Sequence, residues 1–138
     1  MTPREILPFL SAHRLAVVST VHAGAPQSAV VGYAVTDALD IIFDTLSTSR
    51  KYKNLAADPR VALVIGWDNE QTVQIEGLAD VPTGPDLDAC KQAYFAAWPD
   101  GPERAQWPDI AYVRIQPRWL RFSDFSCAPP RIEEMALA

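Results

Sequence analysis

The stretch FDTLSTSRKYKNLAADPRVAL, Phe43 to Leu63, concentrates groups that bind anions. Thr45, Ser47, Thr48 and Ser49 supply hydroxyls, and Arg50, Lys51 and Lys53 follow at once, with Tyr52 among them. Such a set suits the holding of a phosphate through charge-assisted hydrogen bonds, each contributing about 1.5–3 kcal/mol in favourable settings. The same residues also suit a solvated basic face on a surface helix, because Lys and Arg normally sit outside. The chain as a whole is acidic, with 17 Asp and Glu against 12 Lys and Arg and a net charge of −5. The positive charge is therefore a local feature.

Anion binding needs these groups at one fixed point, and the flanking pattern predicts one. DIIFDTL reads as a strand. After it, Tyr52, Leu55 and Ala56 fall at helical spacing, Ser47 or Thr48 can cap, and Pro59 stops the helix by pushing its predecessor out of the helical region. The cations then lie on the first turn of a short helix directly after a strand. Free backbone N–H groups and the positive end of the helix dipole favour an anion there.

The remaining elements form a frame around this point. TPRE opens a first helix, with Thr2 as cap, Pro3 at the first helical position and Glu5 completing a capping box. Pro8 costs little only within the first turns. RLAVVSTV and PQSAVVGYAV, parted by the turn HAGAP, read as two strands, and DIIFDTL follows as the third of an antiparallel meander. RVALVIGW and TVQIEGLADVP add two more, with a bulge expected at Gly77. GPDLDACKQAYFAAWP carries a helical stripe of Leu87, Cys90, Ala93, Tyr94 and Ala97. DGPERAQWPD is a loop or short helical turn, and IAYVRIQPRWLRFSDF is a long final strand with Pro117 at an edge or bulge. The last ten or so residues alone read as disordered, and Glu133 and Glu134 read as tail solvation. This order predicts a mainly β (α+β) fold, a six-stranded antiparallel barrel flanked by short helices.

Composition removes several function classes. A broad basic surface for nucleic acid is missing, and no apolar run is long enough to span a bilayer. The N-terminus lacks the apolar core of a secretory signal, so the cytoplasm is expected. Cys90 and Cys127 are far apart and fit no metal spacing, and His13 and His22 have no ligand cluster around them, so no metal site is expected. No nucleophile elbow or phosphate-binding Gly-rich loop is present. Of the four tryptophans, most suit core or interface packing, while Trp98 and Trp107 are the candidates for stacking on a flat ligand.

The stretch from Phe43 to Leu63 resembles the signature of the pyridoxamine 5'-phosphate oxidase-like, FMN-binding split-barrel family. PQSAVVGYAV is similar to that family's second strand, whose backbone runs beside the flavin, TVQIEGLADV to its QVRVEG strand and YVRIQPRWLRF to its last strand. The resemblance covers most of the chain and implies one FMN-binding split-barrel domain over residues 1–138. It implies that Arg50 and Lys51 hold the FMN phosphate with Ser49 and Thr45 beside them. Asp44 would lie near the ribityl chain or ring edge, and Ser28, Ala29, Val30 and Val31 would present backbone to the ring. Thr72 stands where the oxidase has a flavin-contacting Gln. The resemblance further implies a homodimer with each flavin between two subunits, with Trp67, Gln74 and Trp119 as candidates to reach the partner's flavin. Two departures stand out: Ala29 replaces an Arg of the oxidase, and its C-terminal Arg-Leu-His motif is reduced to Arg131–Glu133 without a His. An FMN-dependent oxidoreductase acting on a small molecule is therefore expected rather than the oxidase itself. No side chain is expected as a catalytic acid or base. A deazaflavin-dependent reductase of the same fold, or a non-catalytic flavin- or tetrapyrrole-binding module, are the alternatives.

Overall fold

A computed structural model describes residues 1–137. Helix α1 (Pro3–Ala12) begins as its sequence dictates, the Thr2 hydroxyl accepting from the Glu5 N–H at 3.3 Å and donating to the Glu5 carboxylate at 3.1 Å. Pro8 stands in mid-helix rather than in the first turn, which removes one backbone hydrogen bond. Ile6 and Leu10, buried against the barrel, hold the helix in place.

Strands β1 (Leu15–His22) and β2 (Ala25–Gly32) form a hairpin with Leu15 opposite Gly32 and His22 opposite Ala25. After Tyr33 the chain makes the two-residue β3 (Ala34–Val35), then β4 (Ile41–Leu46), α2 (Arg50–Ala57), β5 (Arg60–Ile65) and β6 (Gln71–Asp80). Helices α3 (Gly84–Ala97) and α4 (Gly101–Arg104) precede β7 (Ile110–Asp124) and β8 (Arg131–Ala136). Every pairing is antiparallel, in the order β2-β1-β5-β6-β7-β4-β3, with β8 on β7. The result is an antiparallel sheet curled into a half-barrel with short helices, the fold class expected. The six expected strands are all present. The second is interrupted at Tyr33, and β8 is additional, because the tail, though mostly exposed, pairs with β7 rather than being disordered.

β7 makes the curvature. Its first half pairs with β4, and the register against β6 shifts at Glu76/Gly77, where Trp119 faces Glu76 and Pro117 faces Gly77. The additional residue is Arg118 on β7, so the expected bulge lies opposite Gly77 rather than on it. Gly77 is required there because a Cβ would lie 2.5 Å from the Gln116 carbonyl oxygen.

Inward residues fill the barrel, including Leu10, Phe43, Ile65, Ile75, Ile115 and Leu120, all fully buried. Each such side chain contributes about 1.5–3 kcal/mol by leaving water. A second cluster lies between β4 and α3, where Ile42, Tyr112 and Ala34 meet Cys90 and Tyr94. β4 is thus buried on both faces, which explains its unbroken apolar run. Among the described residues, no helix is long and apolar enough to cross a membrane.

Candidate functional site

β4 delivers the chain to α2 through a turn closed by the Ser49 N–H donating to the Leu46 carbonyl at 2.9 Å. The turn consumes Ser47 and Thr48, so neither caps α2 as the sequence suggested. Ser49 is the cap, its hydroxyl accepting from the Tyr52 N–H at 3.2 Å. Ser49 also shares a hydrogen bond of 3.0 Å with the Thr45 hydroxyl, to which the Lys51 ammonium donates at 3.4 Å. Thr45, Ser49 and Lys51 therefore form one polar group at the start of the helix, with exposed Arg50 beside it.

Of this group only Lys51 lines the adjacent pocket of about 220 Å³, which is walled by Val18 and Thr20 of β1, Gln27, Ser28 and Ala29 of β2, and Arg50 and Lys51 of α2; Thr45 and Ser49 stand behind Lys51 and do not line it. β2 is an edge strand. One side of its backbone bonds to β1, and the other side leaves alternate N–H and C=O groups free for a ligand. Val30 is turned to the outer face, 61% exposed, and Val31 lies in the core. Thr72 stands on β6, separated from β2 by β1 and β5, and does not line the pocket. Asp44 is not brought to the pocket either. It lies on the face of β4 opposite Thr45, where its carboxylate accepts from the Tyr94 hydroxyl and the Arg104 guanidinium, both at 2.9 Å.

The structure adds residues that sequence reasoning missed. Thr20 and Gln27 line the pocket, and Asn54 of α2 binds both, donating to the Thr20 hydroxyl at 3.0 Å and the Gln27 carbonyl at 2.9 Å. Strand alternation would have placed Gln27 on the same face as Ala29 and Val31. Nothing local marks Asn54. Trp98 is engaged in packing: its indole N–H donates to the Tyr33 carbonyl at 2.9 Å, and a Cβ on Gly32 would lie 2.5 Å from its ring. Trp107, 52% exposed, stays open.

The two sides of β4 differ in charge. Among the described residues, neither Arg50 nor Lys51 has a carboxylate within 4 Å, and the first turn of α2 contains no acid. Cations at a helix N-terminus oppose the dipole, at a cost of about 0.3–1 kcal/mol each. An anion in the pocket reverses that cost. On the other side, burial and then the nearby Asp44 charge push the Tyr94 phenol up. Burial opposes the charge on Arg104, yet its bonds to Asp44, Tyr94 and Asp100 outweigh this and hold it protonated.

Residues 2–124 match the family model described as pyridoxamine 5'-phosphate oxidase. A pyridoxine/pyridoxamine 5'-phosphate oxidase of Bordetella avium is 34% identical over 122 residues, covering 83% of this chain and 56% of the relative. The chain spans roughly half the length of the curated oxidases it matches. Among solved structures, a heme binding protein from Mycobacterium smegmatis superposes with a TM-score of 0.83 at 19% identity, over 99% of this chain and 58% of that one. General Stress Protein 26 from Bacillus anthracis superposes with a TM-score of 0.76 at 21% identity, over 98% of both chains. At these identities the structural matches speak for the fold alone.

Proposed function

The chain belongs to the pyridoxamine 5'-phosphate oxidase family, and from that premise we propose that it is an FMN-binding flavoprotein, an oxidoreductase acting on a small molecule. The observation that carries this reading is the pair Arg50 and Lys51, without carboxylate partners among the described residues, on the first turn of α2 beside the hydroxyls of Thr45 and Ser49. That donor set fits a phosphate dianion. Arg50, Lys51, Ser49 and Thr45 would hold the phosphate, and the free edge of β2 around Ser28 and Ala29 would meet the rest of the ligand. When bound, the flavin supplies hydride and electron transfer. The chain's own task is to bind, orient and shield it.

The reading stops short of pyridoxamine phosphate oxidation. Ala29 offers no guanidinium, and Arg131, the remnant of the oxidase's C-terminal motif, donates to Glu133 at 2.8 Å. We also propose a homodimer. The outer face of the sheet carries exposed Leu15, Val30 and Leu78, and a groove of about 740 Å³ there is lined by Val21, Ala62, Leu78 and Trp119. Thr20 borders both this groove and the anion pocket, so a second copy seated on the face would close the pocket's open side. Trp119 is then the candidate to reach the partner's ligand, ahead of Trp67 and Gln74. A cytoplasmic location accords with two free thiols.

Titration with FMN and with riboflavin tests the reading. FMN should bind with quenching of its fluorescence, and riboflavin, lacking the phosphate, at least tenfold more weakly. Equal affinity for the two would refute the phosphate assignment. Reduction of the bound flavin by a nicotinamide donor separates a catalyst from a binding module. A second reading, a deazaflavin with a longer anionic tail, is favoured by a neighbouring groove that brings Lys53 close to the pocket, although Arg60 in the same groove is already paired with Asp58. Uptake of that cofactor in preference to FMN would select it.

A further inference from the structure

Asn54 is 5% exposed. A buried amide is tolerated when its polar atoms find partners. Both of its N–H groups do: one reaches Thr20 and the other Gln27. These two acceptors are direct cross-strand partners in the β1–β2 hairpin. One side chain therefore ties the helix that bears Arg50 and Lys51 to both strands that wall the pocket.

The bond also orients Gln27. With its carbonyl oxygen accepting from Asn54, the Gln27 amide must direct its NH₂ elsewhere, since two amide NH₂ groups face to face repel. That NH₂ has no hydrogen-bond partner among the described residues, and Gln27 lines the pocket with Arg50 and Lys51. We propose that Gln27 is a ligand-binding residue, its NH₂ held toward the pocket as a donor by Asn54, which acts as a positioning residue. The group it meets is an oxygen acceptor of a phosphorylated small molecule. The inference rests on the FMN reading and adds to it a donor from β2 and the device that aims it.

Fluorescence titration with FMN on the full chain tests this, using Gln27→Glu, Asn54→Leu and the double variant. Gln27→Glu keeps an oxygen for Asn54, removes the donor facing the pocket and adds a negative charge, so the titrations are run at 500 mM salt, where the added charge is screened and the loss of the donor is what remains. It should weaken FMN binding about fivefold or more with an unchanged melting temperature. Asn54→Leu should weaken binding by a similar factor in the native background and by less than about twofold when Gln27→Glu is already present. A purely structural Asn54 would cost the same factor in both backgrounds. If Asn54→Leu does not fold, Gln27→Glu alone decides. Native affinity in Gln27→Glu overturns the proposal while leaving the FMN reading intact. Failure of the unmodified chain to bind FMN removes both.

Discussion

Asp44 and Thr45 are neighbours on β4, yet they serve regions of opposite character. On the Asp44 side, Arg104 is enclosed between Asp44 and Asp100 and shares Asp44 with the Tyr94 hydroxyl. Its charge is neutralised within the fold. On the Thr45 side, Lys51 and Arg50 have hydroxyls beside them and, among the described residues, no carboxylate within 4 Å. A cation already matched with carboxylates fastens elements together. A cation left with neutral donors at a helix N-terminus keeps its charge open, and the FMN proposal rests on that. The contrast separates a clamp, which joins α3 and α4 to the barrel, from the proposed binding site one residue further along the same strand.

The largest expected effect cuts the binding side. Arg50→Ala with Lys51→Ala should weaken FMN at least a hundredfold in a fluorescence titration, because two charge-assisted bonds are lost. The melting temperature should move by no more than about 3 °C, as expected for surface changes. Affinity unaffected by the double change would remove the distinction at its root.

Arg104→Ala should do the converse. The Asp44 and Arg104 side chains are only 12% and 19% exposed, so loss of the cation strands a carboxylate. Urea denaturation should record a loss of about 2–3 kcal/mol, with FMN affinity per folded molecule within threefold of native. A well-folded Arg104→Ala protein that no longer binds FMN would merge the two regions into one.

Tyr94→Phe is expected to cost about 1.5 kcal/mol, since its hydroxyl donates to the Asp44 carboxylate and accepts from the Arg104 guanidinium. It should also change the alkaline limb of stability. Burial raises the phenols of Tyr33 and Tyr94 above their ordinary value of 10.0. Above about pH 10 the unfolded chain has released these protons while the folded chain still holds them, so stability falls as pH rises. Melting curves between pH 9 and 11 should be flatter for Tyr94→Phe than for the native chain; parallel slopes would show that Tyr94 does not report on the clamp.

The smallest effect is that of salt. FMN affinity should weaken several-fold between 50 and 500 mM salt, since the screening length for exposed charges falls from about 14 to about 4 Å over this range. The stability lost in Arg104→Ala should stay within about 0.5 kcal/mol over the same interval. Equal salt sensitivity would mean that the clamp is as solvated as the pocket.

Parts of both regions are legible in the sequence. The position of Arg50 and Lys51 on the first turn after a strand follows from Pro59, the spacing of Tyr52 and Leu55, and the apolar run of β4. The cap is displaced to Ser49 because the turn from Leu46 uses Ser47 and Thr48. Alternation along β4 shows that Asp44 and Thr45 face opposite sides, but not which side faces β1 and β2. Tyr94 and Arg104 meet Asp44 across 50 and 60 residues of chain, and Asn54 meets Gln27 and Thr20 across 27 and 34. No periodicity records such distances. The tail carried no packing signal either, and it is a strand because β7 offers a free edge to it.

What the sequence by itself determined is the set of elements and the place where positive charge collects. Capping, strand alternation and helical spacing act over a few residues, and those few residues are enough to read them. What only the tertiary structure decided is which cations are neutralised and which stay open, because pairing depends on how the curled sheet brings distant strands and helices into contact. Arg104 and Arg50 are the same side chain chemically, and the difference between the clamp and the proposed binding site lies in whether the fold sets a carboxylate beside the guanidinium.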